Sequence, residues 1–208
     1  MITLSSYVLD RDAIKLDAYR LLCLFYANKE ISRLSDPTHE YPDASVLLER
    51  RFFPRELTRL LLSIAVALRT LDDQMEQLDS ANAIRTRYMQ ARDRTNKNYD
   101  CMMFDDMPLR EVCNKIIHAY VVEPHHQDGE ESHQYDIYAW EAWQAARDEG
   151  EEVSPDQPES LSWQHMTGNV RLGGMRSRKQ WWHLLMVPVF VEAIYDLLND
   201  NDCGRFSF

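Results

Sequence analysis

Between Leu57 and Leu71, apolar residues recur at every third or fourth position, which is the spacing of one face of an α-helix. A similar pattern runs from Asp12 to about Leu34. Both segments therefore predict long amphipathic helices with wide apolar faces. The second helix is expected to begin near Pro54, because proline suits the first turn of a helix. Two helices of this kind favour a mainly α-helical core.

Later segments add helices and a small β element. The stretch Leu109–Tyr120 carries an apolar stripe, and Pro188 is expected to open a last helix. Two strand-like runs within about 163–186 are separated by Gly173–Lys179, which predicts an antiparallel β-hairpin or meander near the C-terminus. The expected fold is a single mainly α domain over residues 1–208 with this small β component (α+β).

The acidity of the chain is concentrated in one segment. Residues 123–159 hold twelve of the 34 acidic residues and one of the 23 basic residues, which leaves 22 of each sign elsewhere. The net charge of −11 therefore does not exclude nucleic-acid binding by the rest of the chain. We interpret about 124–160 as an acidic insertion. It is expected to contain a short amphipathic helix that docks through Trp140 and Trp143.

The sequence predicts a cytoplasmic protein without a metal or other cofactor. No apolar run reaches the roughly 18 residues that a membrane span needs, and no signal peptide is recognised. The four cysteines lack zinc spacing and are expected to be reduced. His125, His126 and His133 lie near acids but also match no standard zinc pattern, so adventitious binding is the preferred interpretation.

The helical stretch Leu109–Tyr120 concentrates chemistry-bearing side chains. Arg110, Asn114 and His118 are four residues apart, so a helix places them on one face, one turn above the next. The pKa of histidine is ordinarily close to neutral pH, so its imidazole can accept or donate a proton. An arginine can stabilise the charge of a phosphoryl group through two parallel N–H donors. This face is the candidate catalytic site of the chain.

A helix with Arg, a polar residue and a His that ends in His-x-Tyr resembles the HEPN superfamily. Asn114, His118 and Tyr120 match the polar, His and Tyr positions, whereas Cys113 precedes Asn114 and the nearest upstream arginine is Arg110. The resemblance implies a helical bundle that usually forms a homodimer. It also implies a metal-independent endoribonuclease of toxin–antitoxin or anti-phage systems. The catalytic residues would then be Arg110, Asn114, His118 and Tyr120.

Under this resemblance, basic segments would guide RNA into a groove. The candidate RNA-binding residues are Arg85, Arg87, Arg92, Arg94, Arg176, Arg178 and Lys179. Three residues near the end of the long helix are candidate partners of the catalytic side chains: Arg69, Asp72 and Asp73. Each of these assignments has a structural alternative. His118 would be a hydrogen-bonded structural histidine, and Tyr120 would be a tyrosine at the edge of the core. Arg69, Asp72 and Asp73 would form a surface ion-pair network, and the basic residues of 85–97 would form a solvated helix face. Three tryptophans are interpreted as hairpin packing rather than base-stacking platforms: Trp163, Trp181 and Trp182.

Two other functions compete with RNA binding and cleavage. The main alternative is a catalytically silent interaction protein, such as an inhibitor or antitoxin-like partner, that uses residues 123–159 as an acidic docking surface. The other is a toxin whose acidic insertion folds over its own basic groove. The enzyme hypothesis requires the side chains of Arg110 and His118 to converge at an accessible groove. The interaction hypothesis depends on the acidic residues instead.

Overall fold

A computed structural model of the chain describes residues 9–35, 42–150, 158 and 160–199. Within these residues six helices account for 63% of positions, and four strands form one antiparallel sheet. The mainly helical α+β class expected from the sequence is therefore confirmed. The elements are, in chain order, α1 (Arg11–Leu34), α2 (Ala44–Gln77), α3 (Ala83–Asn98), β1 (Met102–Met103), α4 (Leu109–His118), β2 (Ala119–Asp128), α5 (Gln134–Asp148), β3 (Gln164–Arg176), β4 (Lys179–Met186) and α6 (Val187–Leu198).

The chain divides into two compact units. The first is bounded by Met1–Cys23, Glu56–Pro124 and Gly168–Phe208, and the second by Leu24–Arg55 and His125–Thr167. All four candidate catalytic residues belong to the first unit, together with the turn between β3 and β4.

Helix α2 supplies much of the core of the first unit. Its apolar face is almost completely buried, as the spacing predicts, through Leu57, Leu60, Leu61, Ile64, Ala65, Leu68 and Leu71. The expected start near Pro54 is wrong, since the helix begins at Ala44 and contains the proline. An interior proline costs about 3 kcal/mol because it removes a backbone donor and crowds the preceding turn. Buried side chains on both sides of it, Phe53 and Leu57, oppose that cost.

The two helices that follow are held by a cap and by an apolar stripe. Asn82 caps α3, because its side-chain oxygen accepts hydrogen bonds from the backbone N–H groups of Ile84 and Arg85. Helix α4 follows Pro108 and buries Leu109, Val112, Cys113 and Ile116. The apolar stripe predicted for this helix is thus confirmed, and the opposite face of α4 remains accessible.

The predicted hairpin is confirmed, with a tighter turn than expected. The sheet order is β1-β4-β3-β2, and β3 pairs with β4 up to Arg176↔Lys179. Only Ser177 and Arg178 form the turn, both with positive φ, as a two-residue type I′ turn requires. Gly173 and Gly174 were expected in the loop. They lie within β3 instead, opposite Trp182 and Trp181 of β4, whose rings occupy the space that a Cβ atom would need.

Helix α5 of the second unit confirms the amphipathic helix expected in the acidic segment, but not its docking. His133 and Asp136 form a capping box at its start. None of its residues is buried, and Trp140 is 46% exposed. Trp143 is half-buried, so docking of this helix through both tryptophans stays a prediction. Residues 151–157 and 159 of the acidic segment lie outside the described residues.

Candidate functional site

A groove of about 490 Å³ lies between the accessible face of α4 and the tip of the β3–β4 hairpin. Four residues of α4 and three of the hairpin line it: Glu111, Asn114, Lys115, His118, Met175, Arg176 and Trp181. The α4 residues are three or four positions apart, so helical spacing alone brings them to one face. Two of the predicted catalytic residues and one predicted RNA-binding residue therefore share one groove.

The groove is a surface rich in hydrogen-bond donors. The ammonium of Lys115 lies 4.6 Å from the centre of the Trp181 ring, in a cation–π contact. In the part of the chain that the structure describes, no carboxylate forms an ion pair with Lys115 or Arg176. The one acid of the groove, Glu111, accepts a hydrogen bond from the side-chain amide of Asn114 at 3.0 Å. Positive charge is thus left available to a ligand.

His118 is the last residue of α4, and its side chain is exposed. It lines the groove together with Arg176. Tyr120 is 58% exposed at the start of β2 and is not among the groove residues. The structure therefore brings His118 and Asn114 together in the groove, whereas Tyr120, two residues after His118, lies outside it.

Arg110 points away from the groove. Its guanidinium forms ion pairs with Asp72, with Asp73 at 2.7 Å and with Glu76 at 3.8 Å, all on α2. Burial by itself lowers the pKa of Arg110. The hydrogen bonds to Asp72 and Asp73 outweigh that effect and raise its pKa above the ordinary value. Arg110 and His118 share a helix face, but they do not converge in one pocket.

The carboxylate of Asp72 is the centre of this ion-pair cluster. Asp72 is only 3% exposed, and it also accepts hydrogen bonds from Arg92 at 2.9 Å and from the Tyr88 hydroxyl at 3.2 Å. Burial, followed by the charge of Asp72, raises the pKa of Tyr88. Arg69 lies 3.5 Å from Asp73. The predicted partner residues therefore surround Arg110, and none of them lines the groove beside His118.

The arginines of α3 do not form a free basic strip. Arg92 contacts Asp72 and Glu76, and Arg94 contacts Asp196 of α6 at 3.3 Å. Arg85 is half-buried, whereas Arg87 is exposed. Acids of neighbouring helices thus offset much of the charge that made this segment a candidate RNA-binding surface.

The hairpin tip keeps its cations exposed. Arg176, Arg178 and Lys179 are all accessible, and no acid pairs with them within the described residues. Lys115 and Trp181 were not singled out by the sequence as groove residues. Lys115 could have been found from its position three residues before His118 on the same helix. The contact between Lys115 and Trp181 depends on packing over a long sequence separation, and no local pattern signals it.

Each of the three tryptophans considered as base-stacking platforms packs over a glycine. Cβ atoms added to Gly129, Gly173 and Gly174 would lie 2.0, 2.3 and 1.9 Å from the rings of Trp163, Trp182 and Trp181, respectively. Such close approach is possible only for glycine. The packing interpretation therefore describes these contacts, and Trp181 in addition presents part of its ring to the groove.

The described residues contain no group of three or more His, Cys, Asp or Glu side chains placed to hold a metal ion. His133, one of the three histidines considered for a metal, instead accepts a hydrogen bond from the backbone N–H of Tyr135 at Nδ1. Of the helices that the structure describes, none combines the length and apolar character needed to span a membrane.

Comparisons with models of protein families, with curated proteins and with solved structures gave no match to this chain.

Proposed function

We propose that the groove between α4 and the hairpin binds RNA through its phosphate backbone and that His118 supports metal-independent cleavage there. The observation that carries the proposal is the presence of His118, Lys115 and Arg176 in one accessible groove, with no acid paired to either permanent cation within the described residues. Contacts between such cations and the phosphates supply most of the affinity of a protein for nucleic acid, because they release the counterions that had condensed on the nucleic acid. Under this proposal the chain is a HEPN-like protein that acts in toxin or anti-phage defence.

The proposed chemistry needs one proton acceptor and a stabilised phosphorane. Neutral His118 takes the proton of a ribose 2′-hydroxyl, and the 2′-oxygen then attacks the adjacent phosphorus. The bond to the 5′-oxygen breaks, the imidazolium of His118 returns its proton to that oxygen, and a 2′,3′-cyclic phosphate remains. Arg176 and Lys115 stabilise the developing negative charge. Arg176 thus takes the role that the motif assigns to Arg110, because Arg110 is occupied by Asp72 and Asp73.

RNA binding is tested by fluorescence anisotropy with a labelled single-stranded RNA at several salt concentrations. Lys115→Ala and Arg176→Ala are each expected to weaken binding about tenfold and to reduce the salt slope by about one. Arg178→Ala is the matched control, since it removes an exposed cation of the same hairpin that does not line the groove. Equal effects of all three substitutions would show a diffuse charge effect and contradict a specific groove.

Cleavage is tested separately with the native chain and His118→Ala in the presence of EDTA. The expected result is cleavage to products with 2′,3′-cyclic phosphate ends by the native chain and none by the variant, while RNA binding is retained. Native protein that binds RNA in the groove but leaves it intact would remove the enzyme part of the proposal. Cleavage that survives His118→Ala would exclude His118 as the catalytic group.

A second candidate function is protein binding through the acidic segment 123–159. Helix α5 favours it, because Ile137, Tyr138 and Trp140 are exposed on a helix that buries none of its residues. Exposed apolar side chains among acids suit a basic amphipathic partner. Binding of a basic amphipathic peptide is expected to weaken with Trp140→Ala and to be unaffected by Arg176→Ala. The opposite pattern would place binding in the groove.

A further inference from the structure

A second pocket, of about 480 Å³, lies between α1, α6 and the residue that follows α3. Ala18 and Ile194, which are almost completely buried, line it together with Leu22 and Val191. The lining residues of α1 are three or four positions apart, so helical spacing brings them to one face, and the small side chain of Ala18 leaves space there. The pocket shares no residue with the groove of His118. Its size and its mainly apolar lining are typical of sites for small organic molecules.

Three tyrosines add aromatic rings to this lining: Tyr19 of α1, Tyr99 after α3 and Tyr195 of α6. Tyr19 and Tyr195 are 64% and 58% exposed, and Tyr99 is half-buried. A hydrogen bond between the hydroxyl of Tyr19 and the thiol of Cys23, one turn later on α1, raises the pKa of Tyr19. Within the described residues, neither Tyr99 nor Tyr195 stacks on another ring. The rings therefore border an open pocket instead of packing on one another, and the face of an aromatic ring attracts cations.

The ionic groups of the pocket leave one negative charge without a partner. The ammonium of Lys15 lies 3.5 Å from a carboxylate oxygen of Asp12, which offsets its charge. Glu192 lines the pocket and is exposed, and it forms no ion pair in the part of the chain that the structure describes. An anionic ligand would be repelled by Glu192 and would compete with Asp12 for Lys15. The charges of the pocket therefore favour a cation.

We propose that this pocket binds an organic cation that combines a quaternary ammonium group with an apolar body. Aromatic rings recognise quaternary ammonium groups through cation–π contacts. Such a group has no N–H, so it loses no hydrogen bond on entering a mainly apolar pocket, whereas a primary ammonium group would. The apolar body packs against Leu22, Val191 and Ile194, and the charge is stabilised by the tyrosine rings and by Glu192. The site stands whether or not the groove of His118 binds RNA.

The first test adds benzyltrimethylammonium to the full chain and follows the proton NMR signal of its methyl groups. Aromatic rings that face these methyl groups shift their signal upfield. The expected result is an upfield shift that saturates with a dissociation constant of about 1 mM. The anion 3-phenylpropanoate, of similar size, is expected to bind at least about tenfold more weakly. The absence of a saturable shift up to about 10 mM, or tighter binding of the anion, overturns the proposal.

The second test separates the ring from the carboxylate by substitution at two exposed positions, where the fold is expected to tolerate the change. Tyr195→Leu is expected to weaken binding of the cation about three- to fivefold and to reduce the upfield shift, whereas Tyr195→Phe keeps the ring and should bind like the native chain. Glu192→Gln is expected to weaken binding about threefold.

Tyr26→Leu is the matched control for these variants, because Tyr26 is an exposed tyrosine of the same helix as Tyr19 and does not line the pocket. It is expected to bind benzyltrimethylammonium like the native chain. Native affinity in Tyr195→Leu or in Glu192→Gln overturns the proposal. An equal loss of affinity in Tyr26→Leu also overturns it, since the cation would then bind exposed tyrosines without regard to the pocket.

Discussion

Replacing Arg110 with methionine should destabilise the fold and leave the proposed RNA binding by the folded protein unchanged. Methionine keeps the unbranched apolar stem and the helix propensity of arginine, and it removes the guanidinium. The substitution therefore isolates the ion pairs of Arg110 with Asp72 and Asp73. Arg110 lines a small pocket together with Asp72 and does not line the groove of His118.

The magnitude follows from the burial of the partners. A hydrogen bond to a charged group contributes about 1.5–3 kcal/mol, and breaking a buried ion pair costs about 3–5 kcal/mol. Two features reduce the cost here. The Arg110 side chain is 30% exposed, so solvent screens part of its charge, and Asp72 keeps Arg92 and Tyr88 as partners. The expected loss of unfolding free energy is about 2 kcal/mol.

Urea unfolding followed by far-ultraviolet circular dichroism measures this loss. With a slope of about 2 kcal/mol per molar urea, the midpoint falls by about 1 M. Arg178→Met is the matched control, because Arg178 is exposed and has no ion pair in the described part of the chain; its change should stay within about 0.5 kcal/mol. An Arg110→Met variant with native stability and lost RNA binding would refute the reasoning and place Arg110 in the groove.

Three further predictions concern local features of the fold. Asn82→Ala removes the cap of α3 and should cost about 1 kcal/mol in thermal unfolding, whereas Asn82→Ser should restore most of it. Gly174→Ala puts a Cβ within 1.9 Å of the Trp181 ring, so about 1–3 kcal/mol should be lost and tryptophan fluorescence should change; native-like stability would contradict this packing. Burial raises the pKa of the Cys101 thiol to about 12 and also raises the pKa of the Cys113 thiol. Neither should react with a thiol reagent at mildly alkaline pH until urea unfolds the chain, and rapid labelling of the native protein would contradict their burial.

The helices and the hairpin followed from local pattern. Helical periodicity predicted the buried face of α2, and glycine with polar residues between strand-like runs predicted the hairpin. Pro54 shows where local rules stop. Its preference for a first turn is a local effect, whereas the buried residues that flank it act through packing and keep the helix continuous.

The candidate site was predictable in part for a similar reason. Spacing on α4 correctly placed Asn114 and His118 on one accessible face. It could not show where the long side chain of Arg110 ends, because its partner Asp72 lies 38 positions earlier in the chain. Nor could it show that Lys115 reaches the ring of Trp181. Tertiary contacts determine the positions of both side chains, and a local sequence pattern carries no information about those contacts.

The first turn of helix α5 has the most hydrogen bonds to the rest of the second unit among the described contacts, and this determines how the helix should open. Its first turn is held by the His133 capping box, by Gln134 with Arg33, and by Asp136, which accepts a hydrogen bond from the backbone N–H of Leu161 at 2.8 Å. None of the later side chains of the helix is buried, and Trp143, which contacts Arg147, is half-buried. Amide protons should therefore exchange with deuterium progressively faster from Gln134 towards Asp148, with the C-terminal turns of α5 opening long before the core unfolds.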